Sequence, residues 1–278
     1  MSTPKKAGVI GWPIEQSRSP LIHGHWLQTH NIGGSYEKYA VAPEELPHFI
    51  AQLTEKNLSG INVTIPHKEL VLQLADKVTE TAKAIGAANT LWFENNQLVA
   101  DNTDSYGFIT HLKNNAPHWS PNQPAMILGA GGAARAIIHA LKTAGVPKIY
   151  LTNRTKTRAE NLAEEFGLPV KVIPWQDKEQ HLNDTHLLVN STSLGMTGKP
   201  PLEINLTPMP TAAIVYDIVY VPLETELLST AKSLGLTPID GLGMLLHQAV
   251  PGFEQWFGTR PIVTDDLRQL IVNDLEHT

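Results

Sequence analysis

The residues in this 278-residue chain best suited to chemistry begin with Ala125-Met-Ile-Leu-Gly-Ala-Gly-Gly-Ala-Ala-Arg135. An apolar strand runs into G-x-G-x-x-A and then into a helical pattern. Gly129 can take a tight turn that a Cβ would resist. Gly131 lets backbone approach a pyrophosphate, and the small Ala134 lets helix and strand pack closely. The amides of Gly129, Ala130, Gly131, Gly132, Ala133 and Ala134, with the positive end of the helix dipole, would hold phosphate oxygens. A glycine trio alone also serves ordinary turns. Here strand, turn, helix and second strand follow in the order that a dinucleotide site requires.

The tip of the second strand selects the cofactor. An acidic residue there accepts hydrogen bonds from the ribose 2′-hydroxyl of NAD. This chain has Asn153-Arg154-Thr155 instead, followed by Arg158. A carboxylate would repel a 2′-phosphate, whereas Arg154 can grip one with a charge-assisted fork. The alternative is that Arg154 and Arg158 are solvated charges at a helix start. Position at the strand tip favours the phosphate, and so NADP.

A second polar set lies in the first hundred residues. Ser17-Arg-Ser-Pro20 offers two hydroxyls before a proline suited to a first helical turn. Ser19 could simply cap the helix, or both serines could bind a substrate carboxylate. In Asn62-Val-Thr-Ile-Pro-His-Lys68, strand alternation puts Asn62 and Thr64 on one face, toward solvent or a ligand. Lys68 would open the next helix, where its charge opposes the dipole, and such misfits often mark sites. A lysine near a loop is far more often a surface charge. Gly86-Ala-Ala-Asn-Thr90 and Asp101-Asn-Thr-Asp104 carry residues that favour turns in any case. The twelve histidines show no paired ligand spacing, so no metal is expected.

These residues must be positioned by an alternation of strands and helices. Strands are predicted at residues 7–11, 35–41 and 60–65, and helices at 20–31, 43–55 and from 68 to 74. A hairpin follows, with strands at 89–93 and 98–101. Such alternation implies parallel strands with covering helices. The second unit reads as strand 125–128, helix 133–144, strand 148–152 and helix 156–166, then strands at 170–173, 187–190 and 213–216. Helices at 244–257 and 265–276 close the chain and could pack back on the first domain. Two α/β domains are expected, residues 1–103 with 240–278, and residues 104–239.

Composition narrows the function classes. The chain has no cysteine, which excludes disulfides, thiolate metal sites and a cysteine nucleophile. Its net charge of −6 argues against general nucleic-acid binding. No apolar run approaches the roughly 20 residues of a membrane span, and the basic N-terminus lacks a signal-type apolar core. A cytoplasmic protein without membrane or nucleic-acid partners is expected.

Taken together, the chain resembles the shikimate dehydrogenase family. The resemblance covers Ser17-Arg-Ser-Pro20, Asn62 to Lys68, Gly86 to Thr90 and Asp101 to Asp104. It continues through the glycine turn, Asn153-Arg-Thr155, Asn190-Ser-Thr-Ser-Leu-Gly-Met196, Tyr216-Asp-Ile-Val-Tyr220 and Gly241-Leu-Gly-Met-Leu-Leu-His-Gln-Ala249. It implies an N-terminal α/β substrate domain and a Rossmann dinucleotide domain, with an active-site cleft between them. It also implies NADPH-dependent, reversible reduction of 3-dehydroshikimate to shikimate, on the route to chorismate and the aromatic amino acids. Carried over position by position, Ser17, Ser19, Thr64 and Tyr220 would bind the substrate carboxylate. Asn62, Asn89, Asp104 and Gln248 would bind the ring hydroxyls, and Lys68 and Asp104 would form the catalytic pair. Gly241 and Met244 would lie near the nicotinamide, with Ser191, Thr192 and Ile218 also contacting the cofactor. A quinate-accepting, NAD-using branch tends to carry an acid near residues 153–155, which this chain lacks. Monomer and homodimer both remain open.

Overall fold

The computed structural model describes residues 4–277. Its elements run β1 (Lys5–Gly11), α1 (Ser19–Thr29), β2 (Gly34–Ala40), α2 (Leu46–Ala51), β3 (Gly60–Val63), α3 (Val71–Leu74) and β4 (Lys77–Val78). Then come α4 (Glu80–Ile85), β5 (Thr90–Glu94), β6 (Gln97–Asp101), α5 (Asp104–Asn115), β7 (Ala125–Leu128) and α6 (Gly132–Ala144). They continue with β8 (Ile149–Thr152), α7 (Lys156–Phe166), β9 (Val170–Val172), β10 (Leu187–Asn190) and β11 (Ile214–Asp217). The last are α8 (Glu226–Ser233), β12 (Thr237–Ile239), α9 (Leu242–Phe257) and α10 (Asp265–Glu276). Two compact units divide the chain: Met1–Asp104 with Leu246–Thr278, and Ser105–Leu245. The cuts fall at 104/105 and 245/246, so Asp104 groups with the first unit and residues 240–245 with the second.

The first unit holds a six-stranded sheet in the order β2-β1-β3-β5-β6-β4. β1 pairs in parallel with β2 and β3, and β4 with β6, but β5 runs antiparallel to both β3 and β6. The sheet is therefore mixed: the hairpin expected from the sequence is present as β5 and β6, and β5 also runs antiparallel to β3, which the alternation did not imply. Asn95 and Asn96 take φ of 50° and 63°, a two-residue turn whose twist sends β6 straight back along β5. The helix predicted over 43–55 shortens to a 3₁₀ turn, Pro43–Glu45, followed by α2. The one predicted from Lys68 shrinks to α3, and Lys68 itself lies in the preceding turn. Its misfit with a helix dipole is thus not what marks it.

Ile10, Leu46, Leu53, Ile61 and Leu91 are fully buried in this unit's core. Each contributes about 1.5–3 kcal/mol of transfer free energy by leaving water. A second, aromatic cluster forms where the end of α9 meets α1. Phe253 and Trp256 surround His23, Trp26 and Tyr36, and Trp256 Nε1 donates to the Leu91 carbonyl at 2.9 Å. A Cβ on Gly60 would fall 2.1 Å from that indole nitrogen, so the glycine admits the ring.

The second unit holds a six-stranded parallel sheet in the order β12-β11-β10-β7-β8-β9. β7, β8, β10 and β11 are buried along their whole length, as strands covered on both faces must be. The chain leaves β7 toward β8 on one side and toward β10 on the other. That reversal is the switch point at whose strand ends doubly wound sheets bind ligands.

Candidate active site

In the first unit, four of the polar residues singled out from the sequence form one hydrogen-bonded chain. Lys68 Nζ donates to Asp104 Oδ2 at 2.5 Å, with the two side chains 25% and 13% exposed. Asn89 Nδ2 donates to the other carboxylate oxygen of Asp104 at 2.8 Å and to Gln248 Oε1 at 3.2 Å. These groups come from the turn after β3, the first residue of α5, the residue before β5 and the middle of α9. Backbone contacts hold them: Ala88 N–H donates to the Lys68 carbonyl at 2.7 Å, and Asp104 N–H to Asn102 Oδ1 at 3.0 Å. Asn102 in turn donates to the Ala87 carbonyl at 2.9 Å. Both turn-prone motifs, residues 86–90 and 101–104, are therefore turns and site walls at once. Gly86 supplies the left-handed end of α4 at φ 73°, and Asn89 points into the cluster.

Asn62 is buried and heavily committed. Its amide donates to the Asn89 carbonyl at 3.0 Å and to Thr90 Oγ1 at 3.2 Å, while its oxygen accepts from the Tyr36 hydroxyl at 2.6 Å. One oxygen lone pair remains for a ligand. Tyr36, buried and stacked at 4.0 Å on His23, was not flagged by the sequence, where an aromatic in a strand reads as core. Burial pushes the Tyr36 phenol well above its usual pKa. His23 is fully buried with neither ring nitrogen hydrogen-bonded, and desolvation lowers it to about 3, outweighing the opposing pull of neighbouring Asn62.

Ser17 and Ser19 lie at the start of α1, where Ser19 N–H donates to Ser17 Oγ at 3.3 Å. The capping position of this helix is Arg18, whose side chain makes no cap bond, so Ser19 is not the cap, while Ser17 Oγ accepts from the first helical N–H. Arg18 is held by Asp274 of α10 at 2.9 Å. Thr64 is half-buried just past β3, its amide bonded to the Ile10 carbonyl at 2.9 Å.

In the second unit the glycine turn has the conformation its sequence demands. Gly129 has φ 104°, and a Cβ there would stand 2.8 Å from Ser191 Oγ and 3.0 Å from Thr192 Cγ2. Gly131 precedes α6 without any side-chain cap, and neither Gly131 nor Gly132 has an atom within 4 Å of an added Cβ. Among the described residues no side chain accepts from the first amides of this thirteen-residue helix, and the space beside Gly131 and Gly132 is open, a cradle that fits a pyrophosphate. Ala134 is fully buried, as close helix packing requires. Arg154, Thr155 and Arg158 are exposed beyond β8, and among the described residues neither arginine makes an ion pair. Asn153 Nδ2 closes the turn onto the Thr155 carbonyl at 2.9 Å. Ile218 N–H donates to the Asn190 carbonyl at 3.0 Å, and Gly241 packs so tightly on Ile218 that a Cβ would meet its carbonyl at 2.0 Å. Met244 is buried in α9, and Tyr220 is half-buried in the segment after β11. Among the described residues, no three His, Asp or Glu side chains are grouped to hold a metal ion. Among the described residues, no helix is long and apolar enough to cross a membrane.

Three family models match the chain: the shikimate dehydrogenase substrate binding domain over residues 9–91, shikimate / quinate 5-dehydrogenase over 112–197, and the shikimate 5′-dehydrogenase C-terminal domain over 241–269. An NADP(+) shikimate dehydrogenase of Roseobacter denitrificans is 51% identical, over 96% of this chain and 97% of its own. The chain belongs to the shikimate dehydrogenase family. Shikimate dehydrogenase structures share its architecture of an N-terminal substrate domain and a Rossmann-type domain. That of Thermus thermophilus, solved with NADP(H) and shikimate, matches with a TM-score of 0.84 and 34% identity, over 99% of each chain. A quinate dehydrogenase from Corynebacterium glutamicum, solved with NAD, matches with a TM-score of 0.89 and 28% identity, over 97% of this chain and 99% of its own. Structures of either enzyme thus match this fold, so the fold alone does not separate shikimate from quinate.

Proposed function

We propose that this protein catalyses the reversible, NADPH-dependent reduction of 3-dehydroshikimate to shikimate, on the route to chorismate and the aromatic amino acids. The observation that carries the reading is the connected chain Lys68–Asp104–Asn89–Gln248, a charged pair bounded by neutral amides. Reduction of a ketone builds negative charge on its oxygen. Lys68, half-sheltered from water, places an ammonium group where it can stabilise that charge and deliver a proton from Nζ. In the reverse direction Nζ accepts the proton from the hydroxyl. Asp104 Oδ2 orients the ammonium, and Asn89 holds Oδ1 so that the carboxylate cannot turn away.

Ring hydroxyls then find partners in Asn89, Asp104, Gln248 and the remaining lone pair of Asn62. The substrate carboxylate takes the hydroxyls of Ser17, Ser19, Thr64 and Tyr220. NADPH, when bound, supplies the hydride. Residues 129–134 hold its pyrophosphate, and Arg154 and Arg158, with Asn153 and Thr155, hold its 2′-phosphate. Ser191, Thr192, Ile218, Gly241 and Met244 serve its nicotinamide half. The first unit, Asp104 included, serves as the substrate and catalytic domain and the second as the cofactor domain, and the enzyme works in the cytoplasm.

The test is a matrix of NADP+ and NAD+ against shikimate and quinate, followed by absorbance at 340 nm. Turnover of shikimate with NADP+ well above the other three pairs is the expected result. Cofactor binding without turnover of either acid would refute it.

A further inference from the structure

We propose that Asp217 is a positioning residue for the second-mononucleotide half of the cofactor site, acting through Asn190 and the turn over residues 191–194. Asp217 ends β11, and Asn190 ends β10 directly beside it in register. Asp217 is fully buried, and among the described residues no cation pairs with it. Three donors converge on it: Asn190 Nδ2 at 2.9 Å and Val219 N–H at 3.0 Å on Oδ1, and Thr225 Oγ1 at 2.7 Å on Oδ2. Asn190 passes the constraint on. Its oxygen accepts from Thr192 N–H at 3.1 Å and Thr192 Oγ1 at 2.7 Å, and its amide also donates to the Leu194 carbonyl at 3.1 Å.

The turn so held lies against the glycine turn, since Ser191 Oγ donates to the Leu128 carbonyl at 2.8 Å and stands where a Gly129 side chain would be. The Val219 bond holds the segment on which Gly241 packs. In a doubly wound sheet the strand ends on the two sides of the switch point serve the two halves of a dinucleotide. The tips of β10 and β11 lie on the side away from Arg154, so Asp217 governs the half that does not carry the 2′-phosphate. Burial holds its carboxyl up at about 6, against the pull of all three donors. A lone carboxylate in such surroundings is a costly way to tie two loops unless their placement matters.

The inference rests on the NADP reading, and calorimetric binding of two ligands separates the two. Wild-type protein should bind both NADP+ and adenosine 2′,5′-bisphosphate; if it binds neither, the cofactor reading and this inference fall together. In D217A the Kd for NADP+ should rise at least tenfold, while that for adenosine 2′,5′-bisphosphate changes less than twofold. N190A cuts the same link while leaving the carboxylate its other two donors, and must show the same split if D217A does not fold. D217N keeps an oxygen for Asn190 and Val219 and should return the NADP+ Kd to within threefold of wild type. A parallel loss of both ligands, no loss of either, or a D217N as weak as D217A would overturn the role.

Discussion

His23 should make the first unit lose stability in acid, and the size of that loss follows from its surroundings. The imidazole is fully buried between Tyr36, Trp26, Phe253 and Trp256 with no hydrogen bond, and is held neutral down to about pH 3. In the unfolded chain it takes up a proton near pH 6.5. Below that pH the unfolded state binds a proton that the fold refuses, so stability present above 6.5 is lost as pH falls toward 3. Linkage gives a loss of about 0.2 kcal/mol at pH 7 and about 2 kcal/mol at pH 5. His23→Phe keeps a ring of similar shape in the cage and removes the titration. Its stability should be within about 1 kcal/mol of wild type at pH 7, since two buried nitrogens without partners are also removed. Between pH 7 and pH 5 it should lose about 2 kcal/mol less than wild type. Comparison of the two proteins is essential, because Asp217, raised to about 6, shifts stability the opposite way: its contribution falls as pH rises from about 4 to 6. Urea unfolding followed by tryptophan fluorescence reads the effect, Trp26 and Trp256 flanking the site. With an m-value of roughly 2 kcal/mol/M, the acid-induced midpoint shifts should differ by about 1 M. Equal pH dependence in both proteins, or a His23 proton resonance titrating near 6.5, would refute the reasoning.

Three further outcomes follow from the site. Lys68→Ala should keep fold and NADPH affinity but lower kcat by about 10²–10⁴-fold, as loss of a general acid does; near-normal single-turnover rates would remove Lys68 from the chemistry. Arg154→Ala should raise KM for NADPH about tenfold, in line with one charge-assisted contact to phosphate, and leave KM for NADH nearly unchanged; steady-state kinetics with the two cofactors distinguish this from a general defect. Gly129→Ala combines a left-handed backbone at φ 104° with a Cβ 2.8 Å from Ser191 Oγ. It should cost about 1–3 kcal/mol in thermal unfolding of the second unit and weaken NADP+ binding measured by titration.

The second unit was largely legible because its signals are contiguous. The strand over residues 125–128 and the helix after the glycines appear as β7 and α6, and the helix over 156–166 is α7 to the residue. The first unit was less so. β4 has two residues and no periodicity to read. α4 is only six long, although its Thr79 cap, accepting from Ala82 N–H, and its terminal Gly86 were visible signals. Elements of the second unit escaped the reading as well: α5, α8, β12 and the 3₁₀ stretch Trp175–Asp184. The hairpin of β5 and β6 was legible from its Asn95-Asn96 turn, but the antiparallel pairing of β5 with β3 was not, because alternation of burial is the same in parallel and antiparallel pairs.

The residue types at the site were readable, but their relations were not. Lys68, Asn89, Asp104 and Gln248 span 180 residues of chain, and their meeting depends on sheet register and on α9 joining the first unit. Tyr36, His23 and Asp217 were passed over because each becomes polar machinery only through a distant partner, Asn62, the α9 aromatics or Asn190. The sequence alone determined the glycine turn and the cofactor class, since a strand–turn–helix and the arginine that follows it are built from neighbouring residues with local backbone demands. Tertiary structure alone decided that Lys68 pairs with Asp104, that Asn62 is mostly spent on Asn89, Thr90 and Tyr36, and that Ser19 is not the cap of α1. Side-chain hydrogen bonds reach only about 3 Å, so they exist where long-range packing, and not spacing along the chain, brings their atoms together.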